Sequence, residues 1–204
     1  MSEAVSKTTG SKSKVTQNRA FIYDMVLIAI SAALITVCSW ISIPLGPVPF
    51  TLQTMGILAV MHTCGGRRGT IAILVYLAMG ACGLPVFAGF KGGIASLAGP
   101  TGGFLIGFII AALVFWLLEK LIFGKLMNST IKTWIFGALN SLVFEIVLYT
   151  VGVIWFMTVY AAQTGPVGFG TVMTMCVIPF IIPDAVKLIA AVVIGERAGK
   201  LVKN

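Results

Sequence analysis

Residues 178–195 read IPFIIPDAVKLIAAVVIG. Apart from Asp184 and Lys187, every position is apolar or small, and with its flanks the run extends over about 171–196. A helix crossing a bilayer core needs roughly 20 such residues. On insertion scales a charge at mid-membrane costs roughly 2.5–3.5 kcal/mol, so charges placed there face the interior of a bundle and mark a pathway or a site. At i and i+3, Asp184 and Lys187 share one helical face. They can neutralise each other or bind a ligand together. Pro179 and Pro183 stand just before them. Pro183 lacks a backbone donor and clashes with the turn before it, yet suits the first turn of a new helix. The pattern predicts a last span broken above Asp184. A half-helix that starts inside the membrane is one way in which transporters build a binding site.

The rest of the chain fits that reading. Of its 204 residues, 58% are hydrophobic and 10% charged, against about 25% charged in an average soluble domain. Mean hydropathy is +1.05. Five further apolar runs lie at about 21–43, 51–65, 68–84, 102–123 and 133–160. The expectation is an all-α integral membrane protein, a bundle of six transmembrane helices within residues 21–200, after a disordered basic tail at 1–20. Spans two and three are short and separated by GGRRG, which predicts a tilted helical hairpin. With the N-terminus inside, 12 of the 14 Lys and Arg residues fall on the inner side. That asymmetry places both termini in the cytoplasm. The first run is too long for a signal-peptide core.

The net charge of +8 is spread between spans rather than gathered in a patch, so nucleic acid is not an expected partner. Membrane lipid is. The four cysteines stand singly and His62 has no partner at ligand spacing, so neither a metal site nor a disulfide framework is expected. No cofactor is expected either.

The two exceptional lysines are Lys187 and Lys91, the latter in an outer loop. The outer connections IPLGPVPFTLQ (43–53) and GLPVFAGFKGGIASLAGPTGG (83–103) are rich in Gly, Pro and aromatics. A loop of 21 residues in a compact domain is functional or disordered, and its aromatic and aliphatic residues argue for packing. Both loops are expected to fold over the outer mouth and lid a ligand cavity. A carboxylate only accepts hydrogen bonds and an ammonium only donates them. Together, Asp184 and Lys187 suit a neutral group with N–H donors beside a carbonyl, such as a cyclic urea or amide. Gln53 can add donor and acceptor capacity. Asp24 can reach the membrane interface, whereas Glu145 is deeper, lacks a basic neighbour one turn away, and needs a partner on another span. A buried network suits it better than a ligand contact. The glycines of GFLIG (103–107) suit close helix packing.

At these residues the chain resembles the BioY family, the biotin-binding S components of energy-coupling factor (ECF) transporters. The resemblance covers most of residues 25–190. It is carried by IPLGPVPFTLQTMGILAV (43–60), GRRGTIAILVYLAMGACGLPVFAGFKGG (66–93), LAGPTGGFLIGF (97–108) and PDAVK (183–187) in that order. It implies six spanning helices and an outer biotin site closed by the loops, with Asp184 and Lys187 holding the ureido ring. Where the family usually carries Pro-Gly-Asp, this chain has Ile182-Pro183-Asp184. For biotin, the thiolane ring is expected against Phe87, Phe90 or Trp155. The valerate carboxylate is expected at Lys91 or at the backbone N–H groups of Gly92 and Gly93, and Glu145 is carried as a further ligand candidate.

The resemblance also implies partners: a transmembrane coupling subunit, docked through small residues such as Ala29 and Ala33, and paired ATPase subunits. The chain has no P-loop of its own. It implies vitamin uptake across the cytoplasmic membrane of a prokaryote, with activity without partners left open. The alternatives are an S component for another vitamin or an intramembrane enzyme. The enzyme would need a nucleophile, base or metal set at the cavity, and no such set accompanies Glu145, Asp184 and Lys187. A passive channel is disfavoured by loops that look like a lid.

Overall fold

The structure, a computed structural model, describes residues 2–126, 130–165 and 167–202. Lys203, one of the basic residues used for orientation, lies outside them. Eight α-helices are formed among the described residues: α1 Ser2–Trp40, α2 Gln53–Cys64, α3 Gly66–Ala81, α4 Ile94–Ala98, α5 Gly102–Leu126, α6 Thr130–Thr164, α7 Phe169–Cys176 and α8 Ile181–Val202. Four stretches are long and apolar enough to cross a membrane: Gln17–Trp40, Gly102–Ile122, Thr133–Gln163 and Phe169–Lys200. These coincide with the first, fourth, fifth and sixth expected spans.

The second and third expected spans differ. At 12 and 16 residues, α2 and α3 are about 18 and 24 Å long, short of a hydrocarbon core of about 30 Å. Eight of the twelve α2 residues are buried. A helix apolar on every side belongs inside protein, and α2 packs against α8, α1 and α3. The hairpin turn is also tighter than GGRRG suggests. Gly65 alone makes it, at φ +83°, a conformation that needs no Cβ. Arg67 and Arg68 therefore stand in the first turn of α3, against the helix dipole. Two carboxylates offset this: Glu119 accepts the Gly66 N–H at 2.6 Å, and Asp24 pairs with Arg68 at 2.6 Å.

Two further corrections concern the chain ends of α1. The helix begins at Ser2, so the stretch read as a disordered tail continues the helix of the first span. Once a helix is nucleated, extending it costs little per residue, and no proline occurs before Pro44. Beyond α1, the fold is not purely α. Strands β1 (Ser42–Ile43) and β2 (Phe50–Thr51) pair antiparallel, Ser42 opposite Thr51 and Ile43 opposite Phe50. The ribbon folds Pro47–Pro49 back toward the bundle.

The core lies between α2, α3, α5 and α6, where Ile57, Met61, Ile73, Tyr76, Phe108 and Phe144 interlock. Small residues let α5 and α6 approach. A side chain at Gly103 would run into Trp155, and one at Gly107 would crowd Leu148, as expected for close helix contact. The 83–103 connection is ordered, with a 3₁₀ turn at Ala88–Phe90 and the short α4. Donors from the bundle pin it. Ser39 Oγ donates to Val86 O at 2.9 Å, Trp40 Nε1 to Pro85 O at 2.8 Å, and Trp155 Nε1 to Gly99 O at 3.0 Å.

Candidate functional site

The break in the last span comes where the prolines predict it. α7 ends at Cys176, Val177 leaves helical geometry (φ −125°, ψ −59°), and a 3₁₀ turn at Ile178–Phe180 leads into α8. Pro183 then falls in the first turn of α8, where backbone donors have no intrahelical partner to lose. Asp184 sits in that same turn, a position the helix dipole favours for an anion.

Asp184 Oδ1 and Lys187 Nζ are 2.5 Å apart, and their side chains are only 11% and 7% exposed. Both have further partners. Tyr149 on α6 donates its hydroxyl to Asp184 Oδ2 in a short hydrogen bond. Lys187 Nζ donates to the carbonyl of Thr51 at 2.8 Å and lies 4.2 Å above the Phe50 ring. The ammonium thus ties α8 to the β-ribbon through a hydrogen bond and a cation–π contact.

These groups line a cavity of about 260 Å³ whose walls are mainly apolar: Phe87, Phe104, Phe108, Leu148 and Phe180. Ligand sites are commonly of this kind, apolar with a few placed polar groups. Both outer connections contribute, Pro47–Pro49 and Thr51 from one, Phe87, Lys91, Ser96 and Thr101 from the other. Gln53, at the start of α2, also lines the cavity. Its Nε2 is buried with no hydrogen-bond partner among the described residues. A buried donor left open is costly and points to an acceptor on a ligand.

Of the residues singled out from sequence, the cavity brings together Asp184, Lys187, Gln53, Phe87 and Lys91. The others lie elsewhere. Phe90 is 63% exposed and stacks on Trp40 with ring centroids 5.1 Å apart. Its backbone is turned out at φ +57°. Trp155 spends its N–H on Gly99 and its face on Gly103. The Gly93 N–H is already given to Gly80 O at 2.7 Å, and Gly92 packs tightly on the Leu84 carbonyl. Neither glycine lines the cavity. Glu145 is buried one turn from Tyr149, outside the lining. Ala29 and Ala33 stand on the exposed face of α1.

Sequence reasoning passed over Tyr149 and Thr51. Tyr149 lies four residues from Glu145, on the same helical face, and that spacing was the available signal. Thr51 acts through its backbone carbonyl, for which no side-chain signal exists.

The model of the BioY family matches residues 7–204. The chain belongs to the BioY family. Among similar proteins, the probable biotin transporter BioY of Pyrococcus horikoshii is 38% identical over 174 residues, which is 85% of this chain and 94% of that protein. The biotin transporter BioY of Thermotoga maritima is 36% identical over 178 residues, covering 87% and 96%. A crystal structure of the S-component for biotin from an ECF-type ABC transporter superposes with a TM-score of 0.76 at 31% identity, over 90% of this chain and 94% of that one. Family membership therefore extends over nearly the whole chain, α1 to α8.

Proposed function

We propose that this BioY-family chain captures biotin at its cavity and carries it across the membrane as the substrate-binding subunit of an ECF-type transporter. It is a transporter subunit and not an enzyme. The observation that carries the assignment is the buried Asp184–Lys187 pair at the wall of an apolar cavity. Asp184 accepts the ureido N–H groups and Lys187 donates to the ureido carbonyl, a recognition that costs no net charge. The Gln53 Nε2 supplies a further donor. The phenyl rings of Phe87, Phe104 and Phe108 enclose the apolar thiolane ring, and Lys91 receives the valerate carboxylate.

In the structure, Tyr149 and the Thr51 carbonyl occupy the pair. Biotin must displace one or both. Because Thr51 belongs to the β-ribbon, the exchange at Lys187 couples cavity occupancy to the lid formed by residues 43–53. The α2–α3 hairpin forms the second and third spans, shortened because protein rather than lipid surrounds α2. The basic residues at the end carrying Arg67 and Arg68 support a cytoplasmic position for that end and for both termini. The exposed Ala29–Ala33 stripe of α1 allows close approach of another helix in lipid and receives the coupling subunit.

The test is calorimetric titration of biotin into the purified, detergent-solubilised chain, repeated with Asp184→Asn. Saturable binding that the substitution largely removes is the expected result. Binding that survives the substitution would make the pair structural. A folded parent that binds no biotin would redirect the search to other vitamins.

A further inference from the structure

Glu145 is the one buried carboxylate in the described core that the biotin site does not use. Its side chain is 6% exposed and neither oxygen has a hydrogen-bond partner among the described residues. Asp184 and Lys187 on α8 lie within electrostatic reach, but each already neutralises the other. The facing surface of α5 is apolar here, with Phe108 stacked on Phe144. An ionised carboxylate without a partner in such surroundings is strongly disfavoured. The group is therefore placed to hold a proton.

Its position on α6 gives that proton a route. Ser141, Glu145 and Tyr149 are four residues apart, so they stack on one helical face at about 6 Å per step. On one side, Tyr149 donates to Asp184 at the cavity. On the other, Ser141 Oγ lies 2.7 Å from His62 Nε2 on α2. His62 is held edge-on to Phe115 and close to Gly137 and Gly195, two residues before α2 ends at Cys64. It is only partly buried. Polar groups thus recur along one face of α6 between the ligand cavity and the basic end of the bundle, with contacts at both ends and Glu145 one helical turn from each neighbour. Relays of carboxyl and imidazole groups in pumps and transporters are built of such groups.

We propose that Glu145 is a proton-binding site linked to biotin occupancy, holding a proton while the cavity is empty and releasing it when biotin displaces Tyr149 from Asp184. The inference rests on the biotin reading. Freed from Asp184, the Tyr149 hydroxyl can donate to Glu145 one turn away and stabilise the carboxylate. The O–H bond of the carboxyl breaks, and the proton passes by way of the Ser141 hydroxyl to His62 Nε2. His62 gives a proton from Nδ1 to water at the basic end. One carboxylate and one solvated proton result, with no electron transferred. The titratable groups facing this event are Tyr149 on α6, Asp184 and Lys187 on α8, His62 on α2 and, beside Tyr149, Cys176 on α7.

The test is titration of biotin into the detergent-solubilised full chain in buffers of equal pH and different ionisation enthalpy. The slope of observed heat against buffer heat counts protons. The parent is expected to release about one proton per biotin, so its affinity strengthens by up to about tenfold per pH unit as pH rises. With Glu145→Gln, binding is expected to persist with no release and no pH dependence. A parent that releases no proton, or a Glu145→Gln variant that still releases one, overturns the proposal. Infrared difference spectra of the unmodified chain provide a readout that needs no variant. Biotin should abolish a protonated-carboxyl band, and an unchanged band also overturns it. A folded parent that gives no biotin heat at all would overturn the biotin reading itself.

Discussion

The two ends of the bundle manage their charges differently. At the basic end, Asp24 answers Arg68, and Glu119 accepts the Gly66 N–H at the start of α3. These contacts join α1, α3 and α5. At the cavity end, Lys187 and Asp184 are paired but also lean on Tyr149 and on the Thr51 carbonyl. The Gln53 Nε2 there has no hydrogen-bond partner among the described residues. One end answers its charges with its own helices, whereas the other leaves a buried donor on a residue that lines the cavity. Buried polar groups left open are exceptions in a folded chain, and functional sites are where such exceptions are expected.

Removing the carboxylate should break the contrast most completely. With Asp184→Asn, Lys187 loses its buried counter-charge, and truncating one member of such a pair costs several kcal/mol. Biotin affinity is expected to fall by about a hundredfold or more, equivalent to about 2.8 kcal/mol, as read by calorimetry. The basic end should be untouched. Retained affinity would show that the cavity end, like the other, is merely structural.

The difference between the ends also explains what the amino-acid sequence could reveal. Asp184 and Lys187 are legible because charges in an apolar run are rare and expensive. The break before α8 is legible because Pro179 and Pro183 carry their backbone restrictions wherever they stand. Tyr149 is not, since a tyrosine in a span serves equally as core, interface anchor or hydrogen-bond donor. The orientation of loop aromatics is equally hidden. Phe87 turns inward onto Gly80 and Tyr76, while Phe90, three residues on, turns out at a positive φ. Composition treats the two alike. The shortness of α2 follows from its enclosure by α8, α1 and α3, a tertiary fact that no local pattern records.

Next in size is a change that attacks the wall between the ends. Gly103 lies where α5 meets Trp155, and Trp155 in turn holds the Gly99 carbonyl of the outer connection. Gly103→Leu is expected to cost about 1–3 kcal/mol through overpacking, seen as a lower thermal midpoint in detergent. Biotin affinity should fall with it, because the 83–103 connection loses its anchor. A variant of unchanged midpoint would mean that the α5–α6 contact yields more easily than its close approach suggests.

Lys91 sharpens the comparison at the rim of the cavity. It is exposed, so its attraction for a carboxylate is screened. Lys91→Ala should weaken biotin binding by about three- to tenfold, and a neutral biotin amide should bind parent and variant equally. Equal affinities for biotin itself would remove Lys91 from the site.

The smallest effect is expected at the basic end, even though its ion pair has good geometry. Asp24 and Arg68 are 36% and 33% exposed, and solvent competes for both charges. Partly exposed pairs contribute about 0–1 kcal/mol, and Arg68 keeps water as an alternative partner. Asp24→Asn should therefore shift the thermal midpoint only slightly and leave biotin affinity unchanged. High salt should reduce even that small difference, because screening weakens the pair in the parent and has nothing to weaken in the variant. If Asp24→Asn instead lowered biotin affinity severalfold while the chain stayed folded, the two ends would be energetically coupled. The Asp24–Arg68 contact would then belong to the transport cycle rather than to the scaffold.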